Sequence, residues 1–424
     1  MRPVGDPITF EVLKHALGSI GDEMALVVMR SAYSPVVRDS MDYSTALLDR
    51  EGRIIAQGLT LAVQLGAFPD AMAYVREEMA AGLEPGDVLI ANDPYGAGGQ
   101  HLPDLYVIKP IFVADRLAGY AATMAHHADV GGIAPGSVAI HATEVYQEGL
   151  RLPLVKLYRG GRPADDIFRI IERNTRNPVH VLGDIRAQLA ACEVGERGLR
   201  RLVERYGEPL LEGFYADLQR QAEAMMREEI ARLPGGAYRF TDWIDGVGEE
   251  PCPLPIAVLL TIEGDRLVLD FEGTAGQVPA AINCPIAMTR SAAYCAIRCI
   301  GTSEIPNCEG YMRPIELRVP EGSIINPVLP AACGARGVMG YRVFDAIMGA
   351  LAQVVPEKAI AACEGGPTLF SIGGRRGGCR AASGGRAHSR RRARRELVEG
   401  RWQELVGAVG DRERAAPVGP RGSR

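Results

Sequence analysis

The sequence predicts an α+β fold of several layers, in which mixed or antiparallel sheets built from β-hairpins flank a central helical region. Three observations predict it. Apolar, β-branched runs come in pairs around short polar turns, across residues 45–57, 105–125 and 256–271; that is the spacing of hairpins. Between the second and third pair, residues 166–233 carry apolar positions at helical spacing, broken near Asn177-Pro178 and at Gly207. The length, 424 residues, exceeds what a single hydrophobic core encloses. The expected division is an α+β domain over 1–165, a helical region over 166–236, a second α+β domain over 237–373 and a basic tail over 374–424.

In chain order, Asp6-Pro7 opens the first helix, an N-cap followed by proline in the first turn. Phe10, Leu13, Leu17, Ile20, Met24 and Val28 then repeat at helical spacing to about Ser31 and face a core. Short strands at 45–48 and 53–57 are joined by the turn Asp49-Arg50-Glu51-Gly52. Residues 68–79 read as helix and 87–91 as a buried strand. Residues 105–113 and 117–125 are apolar runs around Asp115-Arg116 and form the longest hairpin. In the helical region Leu182, Ile185, Leu189, Cys192 and residues 199–202 mark one buried face, and Met225 and Met226 read as core. Pro234-Gly235-Gly236 ends it. Strands follow at 238–244, 256–262 and 266–271, the last two around Glu263-Gly264-Asp265. A helix at 289–300, a strand at 314–319 and an amphipathic helix at 338–354 complete the reading.

Residues 92–132 concentrate the chemistry. They hold three of the seven histidines, His101, His126 and His127, together with Asp104. In an antiparallel hairpin the start of the first strand lies beside the end of the second. His101 and Asp104 precede the first strand and the histidine pair follows the second, so imidazoles and a carboxylate meet at one end of a sheet. Gly96, Gly98 and Gly99 let the entering loop bend tightly. Two imidazoles and one carboxylate suit Zn, Mn or Fe(II) and leave coordination positions open. Adjacent strand residues point to opposite faces. His126 is therefore expected as the ligand, with His127 behind it or against substrate. The same residues would also serve as caps and loop contacts of an ordinary hairpin, because H-x-x-D arises readily by accident.

Other polar positions leave two readings open. Asp39, Asp42 and Ser44 either contact a ligand or form turns. Thr274, in Gly-Thr-Ala-Gly-Gln, either helps backbone N–H groups bind a carbonyl or phosphate, or connects a strand to a helix. The glycine-rich stretch at 131–137 is not a phosphate loop, since the GK[ST] ending is missing and Gly-Lys occurs nowhere.

NDPYGAGGQHLPD followed by MAHHADVGGIAPGS resembles the B-type subunit of the hydantoinase/5-oxoprolinase family. That family takes in N-methylhydantoinase, 5-oxoprolinase and the related subunit of acetone and acetophenone carboxylases. The resemblance continues through DSMDYSTALLDREGRIIAQG, IHATEVYQEGLRLPLVKLY, GDIRAQLAA and DFEGTAGQVPAAINCPIAMTRSA to about residue 373. Several long motifs in the right order make it specific. It implies a metal site, formed in the carboxylase relatives by the His and Asp of H-x-x-D and a later His; here these are His101, Asp104 and His126. It implies an active-site wall in residues 141–152, which carry Glu144, Tyr146, Glu148 and Arg151; a surface loop is the alternative.

The activity implied is ATP-dependent opening of a cyclic amide such as a hydantoin or 5-oxoproline. The partner, an A-type hydantoinase/oxoprolinase subunit, holds ATP and phosphorylates the ring carbonyl, and the B-type chain directs water onto the activated carbon. A metal acts as Lewis acid or source of hydroxide, His127 or Glu148 moves protons, and Asp39, Asp42 and Thr274 contact substrate. The alternatives are a component of a carboxylase of the acetone/acetophenone type and a non-catalytic assembly component. An Fe(II) oxygenase would rest on the two-His-one-carboxylate set alone, and the surrounding motifs argue against it.

Composition sets the remaining expectations. A hydrophobic content of 47% fits a globular protein, with no apolar run long enough to span a bilayer and no apolar signal core at the start. Nine scattered cysteines without C-x-x-C fit a reduced, cytoplasmic protein. The net charge of −5 hides a split: residues 374–424 hold 14 Arg against 5 acidic residues, and the rest holds 33 basic against 47 acidic. An acidic body argues against nucleic acid as a partner. The arginine-rich stretch 374–424 lacks apolar periodicity and family motifs. It is expected to be disordered, as a frame-changed end or a natural basic tail.

Overall fold

A computed structural model describes residues 6–362 apart from 59, 61, 80–81, 249, 251, 302–303 and 360. The basic stretch 374–424, and its expected disorder, lie outside the described residues. Among the described residues are eight α-helices and two sheets, an α+β fold as expected. No helix among them is long and apolar enough to cross a membrane.

Helix α1 (Pro7–Ser31) begins where the Asp6 side chain accepts the N–H groups of Ile8 and Thr9. After a single short turn of helix, α2 (Pro35–Arg38), strands β1 (Tyr43–Asp49) and β2 (Ile54–Gln57) form the first hairpin. Helix α3 (Phe68–Tyr74) runs on as a π-turn to Met79. Next come β3 (Val88–Ala91), the long hairpin β4 (Asp104–Val113) and β5 (Arg116–His126), and β6 (Val155–Arg159) with β7 (Arg162–Pro163). The β6–β7 hairpin is absent from the sequence reading. Its strands are short and polar, and its signal is the pair Gly160-Gly161 at positive φ. These seven strands form one antiparallel sheet in the order β2-β1-β5-β4-β3-β6-β7.

Both faces of this sheet are covered, and strand alternation assigns residues to them. Leu47, Ala121 and Ala125 point to a core that includes Leu17 and Met24 of α1 and Ala191, Cys192 and Leu199 of α5 (Pro178–Tyr206). Ala46, Leu48, Ala122 and Met124 point the other way, to Phe68 and Met72 of α3 and to Ala287 of α7 (Ile286–Ile300). Helix α5 approaches closely because it lacks side chains where it crosses α1. A Cβ on Gly195 would stand 2.7 Å from Met24 Sδ and 2.8 Å from Ala121 Cβ. A mid-helix glycine costs about 1 kcal/mol in propensity, which the close packing offsets.

Helices α4 (Asp165–Asn174) and α6 (Glu208–Ala231) complete the helical region. Strands β8 (Gly236–Ile244), β9 (Leu254–Glu263), β10 (Arg266–Asp270) and β11 (Ile315–Arg318) form the second sheet, with β11 parallel to β10. Its inner positions Ile256, Val258, Leu260 and Ile262 are buried, with α8 (Arg336–Leu351) lying on β8 and β9.

Candidate metal centre

The H-x-x-D sequence folds as a β-turn in which Asp104 N–H donates to the His101 carbonyl at 3.1 Å. The loop entering it is tied down by Asn92, whose Nδ2 donates to the Leu102 carbonyl at 2.6 Å and whose Oδ1 accepts from Leu152 N–H at 2.7 Å. Gly98 stands in the left-handed region at φ +69°, and a Cβ there would lie 2.5 Å from Ala71 N, so glycine is required. Across the hairpin, Asp104 pairs directly with His126, and directly paired residues share a face.

Three donor atoms therefore meet. His101 Nε2 lies 3.0 Å from Asp104 Oδ1 and 3.1 Å from His126 Nδ1. His126 Nδ1 lies 3.2 Å from the same Asp104 oxygen. The residues are 1%, 0% and 8% exposed, in the order His101, Asp104, His126. Nitrogen and oxygen ligands bound at about 2.0–2.1 Å from one ion stand roughly 3 Å apart, so the triangle has the dimensions of one face of a coordination shell. His101 Nδ1 lies 2.9 Å from the Gly334 carbonyl. A carbonyl can only accept, so Nδ1 carries the proton and Nε2 presents a lone pair to a carboxylate oxygen. Two lone pairs face each other there. A proton on His126 Nδ1, donated to Asp104 or to His101 Nε2, satisfies the contact, and a metal ion bound by all three atoms would do so as well.

The charges around the triangle set the protonation of its corners. Burial and then Arg336 push His101 down to about 4, so it is neutral at pH 7. Burial works against the Asp104 charge, but Arg336 and His101 hold its carboxyl well below the usual range. Arg336 Nη2 donates to Asp104 Oδ2 at 2.5 Å. His126 also opposes burial: its hydrogen bond to Asp104 and the charge of Asp42 hold it above its ordinary value. Asp42 lies at the edge, its Oδ2 4.0 Å from His126 Nδ1 and its Oδ1 accepting from Gln64 Nε2 at 2.7 Å. Burial raises the Asp42 carboxyl.

A family model described as hydantoinase B/oxoprolinase matches residues 6–390. The chain belongs to the hydantoinase B/oxoprolinase family. Within it, the chain is 34% identical over 372 residues to the B-type subunit of a putative D-/L-hydantoinase from a Pseudomonas species, covering 84% of this chain and 63% of that one. It is similar in structure to the ATP-dependent caprolactamase of Pseudomonas jessenii, with a TM-score of 0.79 at 30% identity over 84% of this chain and 61% of that chain. An acetone carboxylase structure also superposes with a TM-score of 0.79, at 20% identity over 84% of this chain and 49% of that one; that likeness shows the fold. The chain thus spans under two thirds of the length of these relatives.

In this family member the other expected site residues go to different places. His127 points through the sheet, away from the triangle, and its Nε2 lies 3.0 Å from Gln188 Oε1 on α5. Glu148 is fully buried, with its two oxygens accepting from Cys333 N–H at 2.9 and 3.0 Å and Oε1 from Gly334 N–H at 2.6 Å. Asp39 is exposed and paired with Arg38. The Thr274 hydroxyl is taken up by the backbone of Ala257, at 3.1 Å from both its N–H and its carbonyl. Among the neighbours in the expected active-site wall, Tyr146 is 64% exposed under the Arg151 guanidinium.

Sequence reasoning missed Arg336, Gln64 and the 333–334 backbone. The last helix starts two residues earlier than its periodicity indicates, so Arg336 becomes its first residue and reaches Asp104. The available signal was an arginine between small residues at a helix start.

Proposed function

We propose that this chain is the B-type subunit of an ATP-dependent cyclic-amide hydrolase, with His101, Asp104 and His126 holding a divalent ion and an ATP-binding A-type partner activating the ring carbonyl. The observation that carries the reading is the buried triangle of two imidazole nitrogens and one carboxylate oxygen, spaced as ligands on one ion would be. Two imidazoles and one carboxylate suit Zn, Mn and Fe alike. Of the relatives named above, the hydantoinase and the ATP-dependent caprolactamase are named for cyclic amides. Small lactams and imides are stable rings, so driving their opening by coupling to ATP is chemically reasonable.

A divalent ion held there supplies Lewis acidity toward a carbonyl or phosphoryl oxygen and acidifies water. The chain's own residues set up the rest. Arg336 holds Asp104 ionised and in one orientation. His101 is kept in the tautomer that directs Nε2 inward. Asp42, raised by burial and held through one oxygen by Gln64, leaves its other oxygen beside His126. In this reading that oxygen takes the proton of the attacking water.

The test is metal analysis of the purified chain and of His126→Ala, followed by turnover assays with the ATP-binding partner on hydantoin, 5-oxoproline and caprolactam. We expect one metal equivalent in the parent, none in the variant, ATP-coupled ring opening by the complex and none by the chain alone. Full metal content in His126→Ala overturns the ligand assignment. Ring opening by the chain alone, without ATP, overturns the division of labour.

A further inference from the structure

Residues 331–336 lie far along the chain from the H-x-x-D turn, yet they touch it twice. The Gly334 carbonyl accepts from His101 Nδ1–H across 233 positions, and Arg336 donates to Asp104 across 232. One short segment therefore controls two corners of the triangle. The segment is itself anchored by neighbours: Tyr95 Oη–H donates to the Ala331 carbonyl at 2.6 Å, Asn283 Nδ2–H to the Ala332 carbonyl at 2.8 Å, and Ala335 N–H to the Ala281 carbonyl at 2.8 Å. The carboxyl anchor is Glu148. It accepts from Cys333 N–H and Gly334 N–H, the second belonging to the residue whose carbonyl meets His101.

We propose that Glu148 is a positioning residue: by gripping the Cys333 and Gly334 N–H groups it aims the Gly334 carbonyl at His101 and fixes the tautomer whose Nε2 faces Asp104 and His126. The consequence for metal affinity rests on the function proposed above, and the tautomer does not. A proton-moving role suits Glu148 less well. Both of its oxygens are occupied by main-chain donors, and the side chain is fully buried. Proton transfer would require it to release bonds that hold the loop. Outer partners of this kind orient metal-binding histidines in general, and losing one weakens metal binding by about 10–100-fold.

Two variants perturb the grip from opposite sides. Glu148→Ala removes the acceptor. Gly334→Ala keeps it but inserts a Cβ that would stand 2.9 Å from Glu148 Oε1 and 3.4 Å from the Ser137 carbonyl. Glu148→Gln retains an oxygen able to accept from both N–H groups and serves as the conservative rescue. The probes are long-range proton–nitrogen correlation spectra of the full chain labelled with nitrogen-15 histidine, and zinc affinity by competition with a chelator. The His101 signals are assigned by their loss in His101→Gln. In the metal-free parent we expect His101 protonated at Nδ1. Glu148→Ala and Gly334→Ala should give a mixture of tautomers and about 10–100-fold weaker zinc binding, while Glu148→Gln keeps the parent tautomer and affinity within a few-fold. If Glu148→Ala does not fold, Gly334→Ala carries the test.

An unchanged tautomer in Gly334→Ala and Glu148→Ala overturns the proposal, as does a Glu148→Gln variant as impaired as the alanine. A parent that binds no zinc but shows the expected tautomer shifts defeats the metal reading and leaves the positioning role standing.

Discussion

His126 and His127 are neighbours in sequence, both buried, at the end of the same strand, and they do unlike things. His126 faces a carboxylate at 3.2 Å and is held above its ordinary pKa despite its burial. His127 faces an amide at 3.0 Å across the sheet, and burial pushes it below its ordinary value. Gln188 Nε2–H donates to the Leu105 carbonyl at 2.9 Å, so its oxygen is turned to His127 and accepts Nε2–H. His127 Nδ1 is then a buried lone pair without a partner. Residue type and local sequence are nearly identical for the two. The difference comes from what covers each face: a guanidinium and two carboxylates in reach of His126 on one side, the Gln188 amide with the Asp184 carboxylate of α5 on the other.

The sharpest way to break that contrast is to remove the positive charge from the His126 face. Asp104 is fully buried and its guanidinium partner is Arg336. Arg336→Met leaves a carboxylate facing two imidazoles. Breaking a buried pair on one side costs about 3–5 kcal/mol. We expect a loss of that size in denaturant unfolding of the metal-free chain, with saturating zinc recovering most of it. A variant as stable as the parent without metal would show that Asp104 is not held as an anion.

A second comparison lies within the same region, between two buried carboxyls. Arg336 holds Asp104 low; Glu148 has main-chain N–H donors but no guanidinium, and burial raises it to about 7. The folded chain then keeps a proton that the unfolded chain, at the ordinary value of 4.5, releases. The stabilisation is complete below about pH 4.5 and lost as pH rises to about 7, a change of about 3 kcal/mol. Glu148→Gln has no such proton. The stability of the parent relative to this variant should therefore fall by about that amount between pH 4.5 and pH 7.5. A flat difference would mean that the N–H groups keep Glu148 ionised throughout.

These pairings also mark where the sequence stops being legible. The hairpin that opposes Asp104 to His126 is readable from two apolar runs and a polar break, because strand pairing is local. The separation of His126 from His127 follows from alternation, and the start of α1 from Asp6-Pro7. Arg336 and Gln188 were not readable as partners. Their contacts cross 232 and 61 positions, and no periodicity encodes which distant polar group will arrive. The surroundings of Asp39 and Thr274 were hidden for the opposite reason. Their polar atoms are used by immediate or cross-strand neighbours, Arg38 and the Ala257 backbone, and a sequence shows a carboxylate or hydroxyl without showing that it is already occupied. Glu148 could be singled out as important, but its hold on the 333–334 backbone depends on tertiary structure.

The smallest expected effect tests the quieter side of the sheet. His127→Ala deletes the imidazole and leaves Gln188 Oε1 buried without its donor. An unsatisfied buried acceptor costs about 1–3 kcal/mol, and the packing lost with the ring acts in the same direction. If the sheet separates the two faces, His127→Ala should unfold earlier than the parent yet bind the same metal equivalent with the same affinity. His126→Ala should behave in the reverse way. Adding Gln188→Leu to His127→Ala should recover part of the stability, because donor and acceptor are then both gone. The decisive measurement is metal content of the two histidine variants side by side. Loss of metal from a folded His127→Ala chain would show that the faces are coupled through the strand and that His127 belongs to the centre after all.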